Sequence, residues 1–335
     1  MSAKRILAGR YRLRDELGHG GMGTVWRAYD ETLRREVAVK EVRAPEGLED
    51  REVRQLYARL EREGWAAGRV AHRNVVTVYD VVAEEGRPWI VMEFIRGLSL
   101  DDLLVAEGPM APERAAAVGA EVLAALRAAH SCAVLHRDVK PGNVLLSNDG
   151  RTVLTDFGIA LIEDSPALTR TGEVIGSPEY LAPERARSGP PGPGSDLWSL
   201  GVLLYAAVEG RSPFRRDTAL GTLRAIVDDE LPPPRHAGPL APVLEGLLRK
   251  DPELRLAAQE TAQLLAAVRD RGTTPHAPSA PRAPGPRPSA PGYTPTASGG
   301  TAGGTGPPPR RPGTPTPGAG APLRGPGAAP PDPEA

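Results

Sequence analysis

Cysteine is almost absent from this chain of 335 residues: Cys132 stands alone. A single thiol excludes an intramolecular disulfide and any metal site of clustered cysteines, and it suits a reducing cytosol. Long apolar runs are missing too. The most apolar stretch, Leu197–Val208, is broken by Ser199 and Gly201, well short of the roughly 20 residues that a membrane span needs. The N-terminus is basic but lacks the apolar run of a secretory signal. Charge is balanced as well. Lys and Arg total 41 against 42 for Asp and Glu, which argues against a polyanion binder. These absences lead us to expect a soluble, cytoplasmic protein with no membrane span and no nucleic-acid partner. Lysine is the last scarcity. It occurs only at positions 4, 40, 140 and 250, while arginine supplies the other 37 cations.

What is present divides the chain in two. From Gly272 to Ala335 there are 19 prolines and 13 glycines. So few apolar side chains cannot offset the entropy of ordering, so a disordered tail with polyproline II character is expected over residues 270–335. It is either passive or a Pro-rich docking segment for partners. The preceding part has the apolar content of a folded domain. Tyr11–Asp30 and Glu36–Val42 are rich in strand formers, and Val75–Val82 and Trp89–Phe94 read as two further strands turned at Glu85-Gly86. Glu49–Arg69 reads as a charged helix. From Pro112 the pattern is mainly helical, over Pro112–His130, Ser195–Glu209, Pro242–Leu248 and Glu260–Arg269. Strands first and helices after predict an α+β chain of two lobes.

Three runs carry chemistry. Gly18-His-Gly20-Gly-Met-Gly23 lies between two predicted strands, and glycines let backbone N–H groups approach phosphate oxygens. A dinucleotide fold would need a helix to follow, but Thr24–Tyr29 reads as a strand. Val37-Ala-Val-Lys40 ends an apolar strand on one of the four lysines. A compact ammonium suits phosphate contact in a tight pocket better than a planar fork does. The third run is His136-Arg-Asp138-Val-Lys140-Pro-Gly-Asn143, followed after an apolar stretch by Asp156-Phe-Gly158. Asp138 can accept a proton from a hydroxyl, Lys140 can neutralise a transferred phosphoryl group, and Asn143 and Asp156 offer the hard oxygens that Mg²⁺ prefers.

In this order and spacing the motifs resemble the eukaryotic-type serine/threonine protein kinases of bacteria, over about Tyr11 to Arg269. Ala182-Pro-Glu184, Ser195-Asp196-Leu-Trp-Ser-Leu-Gly201 and Arg255 extend the likeness. The resemblance implies a bilobal protein kinase fold. An N-terminal segment (1–10) would precede an N-lobe of about 11–93 and a C-lobe of about 94–269. It implies ATP bound under the glycine loop by Leu17, Gly18, Gly20, Gly23 and Val25, with Lys40 on the inner phosphates and Glu93 and Ile95 on the adenine side. Asn143 and Asp156 would hold Mg²⁺ or Mn²⁺, and Asp138 and Lys140 would be catalytic. A helix glutamate, Glu63 or its rival Glu61, would pair with Lys40. Gly64 and Gly68 would weaken that helix by up to about 1 kcal/mol each. Ser177, where the family usually has threonine, keeps a hydroxyl able to bond Asp138 and Lys140. Thr169 and Thr171 match autophosphorylated positions, and Arg137 would capture the phosphate. The implied partners are protein substrates bearing Ser or Thr and a second copy of the chain for autophosphorylation. The alternatives are a pseudokinase scaffold working through the Pro-rich tail and a small-molecule kinase of related fold.

Overall fold

A computed structural model of the chain describes residues 5–20, 23–44, 47–157 and 177–271. The Pro/Gly-rich tail, Gly158, Thr169 and Thr171 lie outside the described residues. The first part is one antiparallel sheet of six strands: β1 (Ile6–Leu7), β2 (Tyr11–Gly20), β3 (Gly23–Asp30), β4 (Arg35–Val42), β5 (Val78–Glu84) and β6 (Arg87–Glu93). Their spatial order is β1-β2-β3-β4-β6-β5. Glu85 and Gly86 both take positive φ at the β5–β6 turn, as a tight two-residue hairpin requires.

The sheet curls until its two edges meet. The Tyr11 hydroxyl on β2 donates to Asp80 on β5 at 2.7 Å, Arg5 pairs with Glu85 at 3.0 Å, and the Ala8 N–H donates to the Glu84 carboxylate. Inside the curl, Leu7, Tyr11, Ala28, Val37, Val39, Trp89 and Val91 form a buried cluster. Asp30 is fully buried and anchors the start of β2. It accepts both arms of the Arg10 guanidinium at 2.9 and 2.8 Å and the N–H groups of Thr32 and Leu33. The Arg10 hydrogen bonds hold its carboxyl at about 2, against the cost of burial. Within the expected N-terminal segment, Ile6 and Leu7 pair with Arg12 and Tyr11 as the first strand of this sheet.

Helix α1 (Asp50–Ala67) packs on β5 and β6. The expectation of a glycine-weakened helix is corrected here. Gly68 is the residue that caps α1, and Gly64 is buried, where an added Cβ would lie 3.0 Å from Val81. Gly64 lets the helix approach the sheet, so its absent side chain improves packing while costing propensity.

The second part is helical: α2 (Leu100–Glu107), α3 (Pro112–Ser131), α4 (Pro183–Ala186), α5 (Pro193–Glu209), α6 (Ala219–Asp228), α7 (Ala241–Leu247) and α8 (Ala258–Arg271). α5 is buried at every position from Ser195 to Val208, as expected for a helix that is apolar all round. α3 and α7 pack on it, and α8 packs on α3 and α7. A small sheet of β7 (Gly97–Ser99), β8 (Val144–Ser147) and β9 (Thr152–Leu154) joins the two parts. Leu154 donates its N–H to Asn74 O and accepts from Val76 N, while the Asn74 amide donates to Thr152 O. The architecture is α+β with two lobes.

Beneath the second lobe, Arg255 has a side chain only 1% exposed and grips Glu184 through two hydrogen bonds of 2.9 Å. Burial raises the Glu184 carboxyl, but the hydrogen bonds and charge of Arg255, together with a backbone N–H and Ser195, outweigh it and hold the group below its ordinary value. The pair therefore stabilises the fold above the ordinary glutamate range and fades as the pH falls through the folded-state value. Substituting Arg255→Met leaves Glu184 buried without its cation. It should lower unfolding stability at pH 7 by about 3 kcal/mol in urea titration. A loss under about 1 kcal/mol would show the pair to be surface-like in strength.

Candidate active site

The catalytic candidates sit on a loop pinned from below. Asp196, at the start of α5 and 1% exposed, accepts the backbone N–H of His136 at 3.0 Å and that of Arg137 at 2.8 Å. His130 Nε2 lies 2.7 Å from the same carboxylate. Arg137 takes φ +68 and Asp156 φ +63. Both are unfavourable for residues with side chains and persist only where surroundings impose them. His136 is fully buried, and burial pushes its imidazole below the ordinary value. Its tautomer is fixed by its neighbours. Nε2–H donates to Thr155 O at 2.8 Å, while Nδ1 accepts the Asp138 N–H at 3.2 Å. The ring packs edge-on against Phe157, centroids 4.5 Å apart.

Above this base the loop gathers three of the candidates. Lys140 Nζ donates to Asp138 Oδ2 at 2.7 Å. The Asn143 amide donates to the same oxygen at 2.9 Å and to the Asp138 carbonyl at 2.7 Å. An amide held by its nitrogen turns its carbonyl oxygen the other way, free to ligate. Ser177 is exposed and is not among the partners of Asp138.

Lys40 comes down from the sheet. On β4 it stands between Val25 of β3 and Ile90 of β6, is 7% exposed, and reaches Asp156 at 2.9 Å. Burial raises the Asp156 carboxyl, but the neighbouring cationic groups, Lys40 foremost, together reverse this and hold it below the usual range. Here the expectation from resemblance is corrected: Lys40 pairs with Asp156, not with Glu63 or Glu61. Glu63 Oε1 is drawn away by Arg137 at 2.9 Å and Arg59 at 3.1 Å. Its Oε2 is buried and accepts no hydrogen bond. The same contact means that Arg137, expected to take a phosphate, holds a carboxylate in this arrangement.

The glycine run closes the outer edge. Gly23 has φ +128, and a Cβ there would lie 1.8 Å from Glu41 O, so only glycine lets β3 start against β4. Gly18 and Gly20 have open space where a side chain would project, and Leu17 is exposed. On the hinge side, Met92 and Ile95 are buried with Ala38, Val76 and Val153, with Val25, Phe94 and Leu145 packed against them. Of these, Ala38, Val76, Leu145 and Val153 escaped the sequence reading. Their signal is only apolar residue type in β4, β8, β9 and just before β5, which marks burial without marking a ligand. The Glu93 N–H donates to Thr77 O at 2.8 Å, and its carboxylate pairs with Arg151 at 3.1 Å. Among the described residues no cluster of three or more His, Cys, Asp or Glu could hold a metal on its own. No described helix is long and apolar enough to cross a membrane.

The protein kinase domain family matches residues 11–264. A serine/threonine-protein kinase of Corynebacterium efficiens is 40% identical over 82% of this chain and 54% of its own length. The serine/threonine-protein kinase pkn3 of Myxococcus xanthus is 38% identical over 84% of this chain and 55% of its own. PrkC of Bacillus subtilis, named likewise, is 36% identical over 71% of this chain and 36% of its own. The chain thus spans about half the length, or less, of the curated relatives it matches. A family match running from the first residue of β2 into α8, with such relatives behind it, shows that the chain belongs to the bacterial branch of the protein kinase family.

Proposed function

We propose that this chain transfers the γ-phosphoryl group of ATP to serine or threonine hydroxyls of proteins. The observation that carries the reading is the convergence of Asp138, Lys140 and Asn143 on one carboxylate, with Lys40 and Asp156 paired 2.9 Å apart above them. Phosphoryl transfer asks a protein mainly for positioning and charge neutralisation, and these groups supply both. Asp138 orients the acceptor hydroxyl and takes its proton. Lys140, already on Asp138, meets charge on the phosphoryl oxygens. Lys40 holds the inner phosphates, and the apolar surface of Ala38, Met92, Val153 and Leu145 receives the adenine. Lys140 and the Gly176–Tyr180 segment ahead of Ala182-Pro-Glu184 favour Ser/Thr acceptors and a peptide platform over a small molecule.

The donor set also suits a divalent cation such as Mg²⁺. Asn143 and Asp156 present a carbonyl and an ionised carboxylate, the hard oxygens that Mg²⁺ takes alongside substrate phosphates. The ion, when bound, lowers the charge that an approaching hydroxyl meets. On this reading the Lys40–Asp156 pair opens as nucleotide enters, and Lys40 then moves to Glu63. A phosphate on Thr169 or Thr171 would compete with Glu63 for Arg137, since a dianion outbids a carboxylate for a guanidinium fork.

Three outcomes test this. Asp138→Asn and Lys40→Met should each leave the fold intact and reduce phosphoryl transfer to below about 1% of wild type. Higher autophosphorylation in either folded variant removes the assigned role. A chain ending at Arg271 should keep full activity towards an added protein, because the tail lacks the apolar content to dock; loss towards a single partner would instead assign the tail to docking. Finally, mass spectrometry after incubation with Mg-ATP should find phosphate on Thr169, Thr171 or both. The double Thr→Ala variant should then be slower towards an added substrate, and an unchanged rate would place activation elsewhere.

A further inference from the structure

Lysine is so rare in this chain that each one asks for a reason. Of the three within the described residues, Lys40 and Lys140 lie in the cleft. Lys250 does not. It follows α7 and points into a half-buried site between the end of α6 and two stacked aromatic rings. Trp198 and Phe214 lie 5.6 Å apart and nearly parallel, at 14°. The Lys250 ammonium stands 4.0 Å from the Phe214 ring centroid and 5.4 Å from that of Trp198. It donates to Ala225 O at 3.3 Å and also to Ile226 O. Both carbonyls belong to the last turn of α6, where the dipole favours a cation; Ala225 O also accepts the Asp229 N–H at 3.0 Å, whereas Ile226 O lies beyond that last helical bond. Among the described residues no carboxylate lies within ion-pair distance of Lys250. A planar guanidinium is a poor fit to this position, which asks for one compact charge under two carbonyls and over a ring.

What Lys250 holds matters for the platform described above. α6 packs against Pro178–Tyr180 and against α4. Arg215, just before α6, lies 3.8 Å from Glu179, and Arg187, just after α4, donates to Val227 O of α6 at 3.4 Å. Arg255 grips Glu184 and also rides the Trp198 ring, at 5.3 Å. The short segment from Lys250 to Arg255 thus ties both flanks of the 178–186 platform to one indole, Arg255 through Glu184 and Lys250 through α6.

We propose that Lys250 is a positioning residue for the protein substrate: its ammonium fixes α6, and through α6 the Pro178–Ala186 platform, against the Trp198–Phe214 stack. This role rests on the kinase reading above. The groups facing Lys250 also make it titratable. Burial pulls its ammonium down to about 8, with Arg187 adding to the lowering and Asp229 and Asp228 at the end of α6 opposing it. A deprotonated amine keeps its carbonyl bonds but loses the charge that the rings and the helix end attract.

The test compares the full chain with Lys250→Met and Lys250→Arg, measuring KM for myelin basic protein and for ATP between about pH 7 and 9.5. Loss of one desolvated cation–π and helix-end contact should raise the protein KM of Lys250→Met about tenfold. Its KM for ATP should stay within about twofold. The ratio of wild-type to Lys250→Arg protein KM, in which titration of the substrate cancels, should climb with pH, because only lysine gives up its proton in that range. An unchanged protein KM in a folded Lys250→Met, an equal rise in both KM values, or a ratio flat with pH each overturns the role. If Lys250→Met does not fold, the ratio decides alone. Absence of wild-type turnover would bring down the kinase reading and this role together, so the two failures are told apart.

Discussion

The site depends on one buried carboxylate. Asp196 is almost wholly enclosed and accepts two consecutive backbone N–H groups, those of His136 and Arg137, together with His130. Consecutive N–H groups can converge on one acceptor only if the chain between them turns sharply, and the φ of +68 at Arg137 is that turn. The turn puts His136 beneath the loop and Asp138 on top of it. From there the order propagates: His136 fixes the Asp138 N–H and the Thr155 carbonyl, and Thr155 in turn donates to Asn143 O. A charge at the N-terminal end of α5, where the helix dipole favours it, thus sets the spacing between the proposed base and the proposed metal ligands.

Electrostatic choice governs the upper half of the cleft. Lys40 and Glu63 are both half of an ion pair, but not of the same one. Glu63 is poorly served where it lies, because one carboxylate oxygen carries both arginines and the other is buried without a donor. Leaving a buried acceptor unsatisfied costs on the order of 1–3 kcal/mol. On the proposed reading, the approach of Lys40 would give that oxygen the donor it lacks.

Legibility in the sequence followed the range of the interactions. The Asp138–Asn143 run and Asp156 could be read directly, since the chemistry is written in the residue types and the contacts of Lys140 and Asn143 to Asp138 are local. The strands β2 to β6 and the long helices α1, α3 and α5 announced themselves by periodicity. α2 and α6 did not, being short. Yet each carries a cap that a closer reading would have caught, Ser99 accepting from Asp102 N and Thr218 from Gly221 N. β1 has two residues, too few for any period. The partner of Lys40 was misjudged for another reason: the result turns on whether Arg137 or Lys40 lies nearer Glu63, a matter of tertiary placement that no local pattern records.

β1 adds one more consequence. A curled sheet whose edges are stitched by Tyr11–Asp80 and Arg5–Glu85 offers less open edge where they meet. Ile6 and Leu7 pair with Arg12 and Tyr11, and Leu7 and Arg5 lie against Trp89; without them the start of β2 would be an unpaired edge beside an exposed ring, the setting in which strands of separate molecules join. The family pattern starts at residue 11. The sheet itself begins earlier, at Ile6, so its first strand lies outside that pattern.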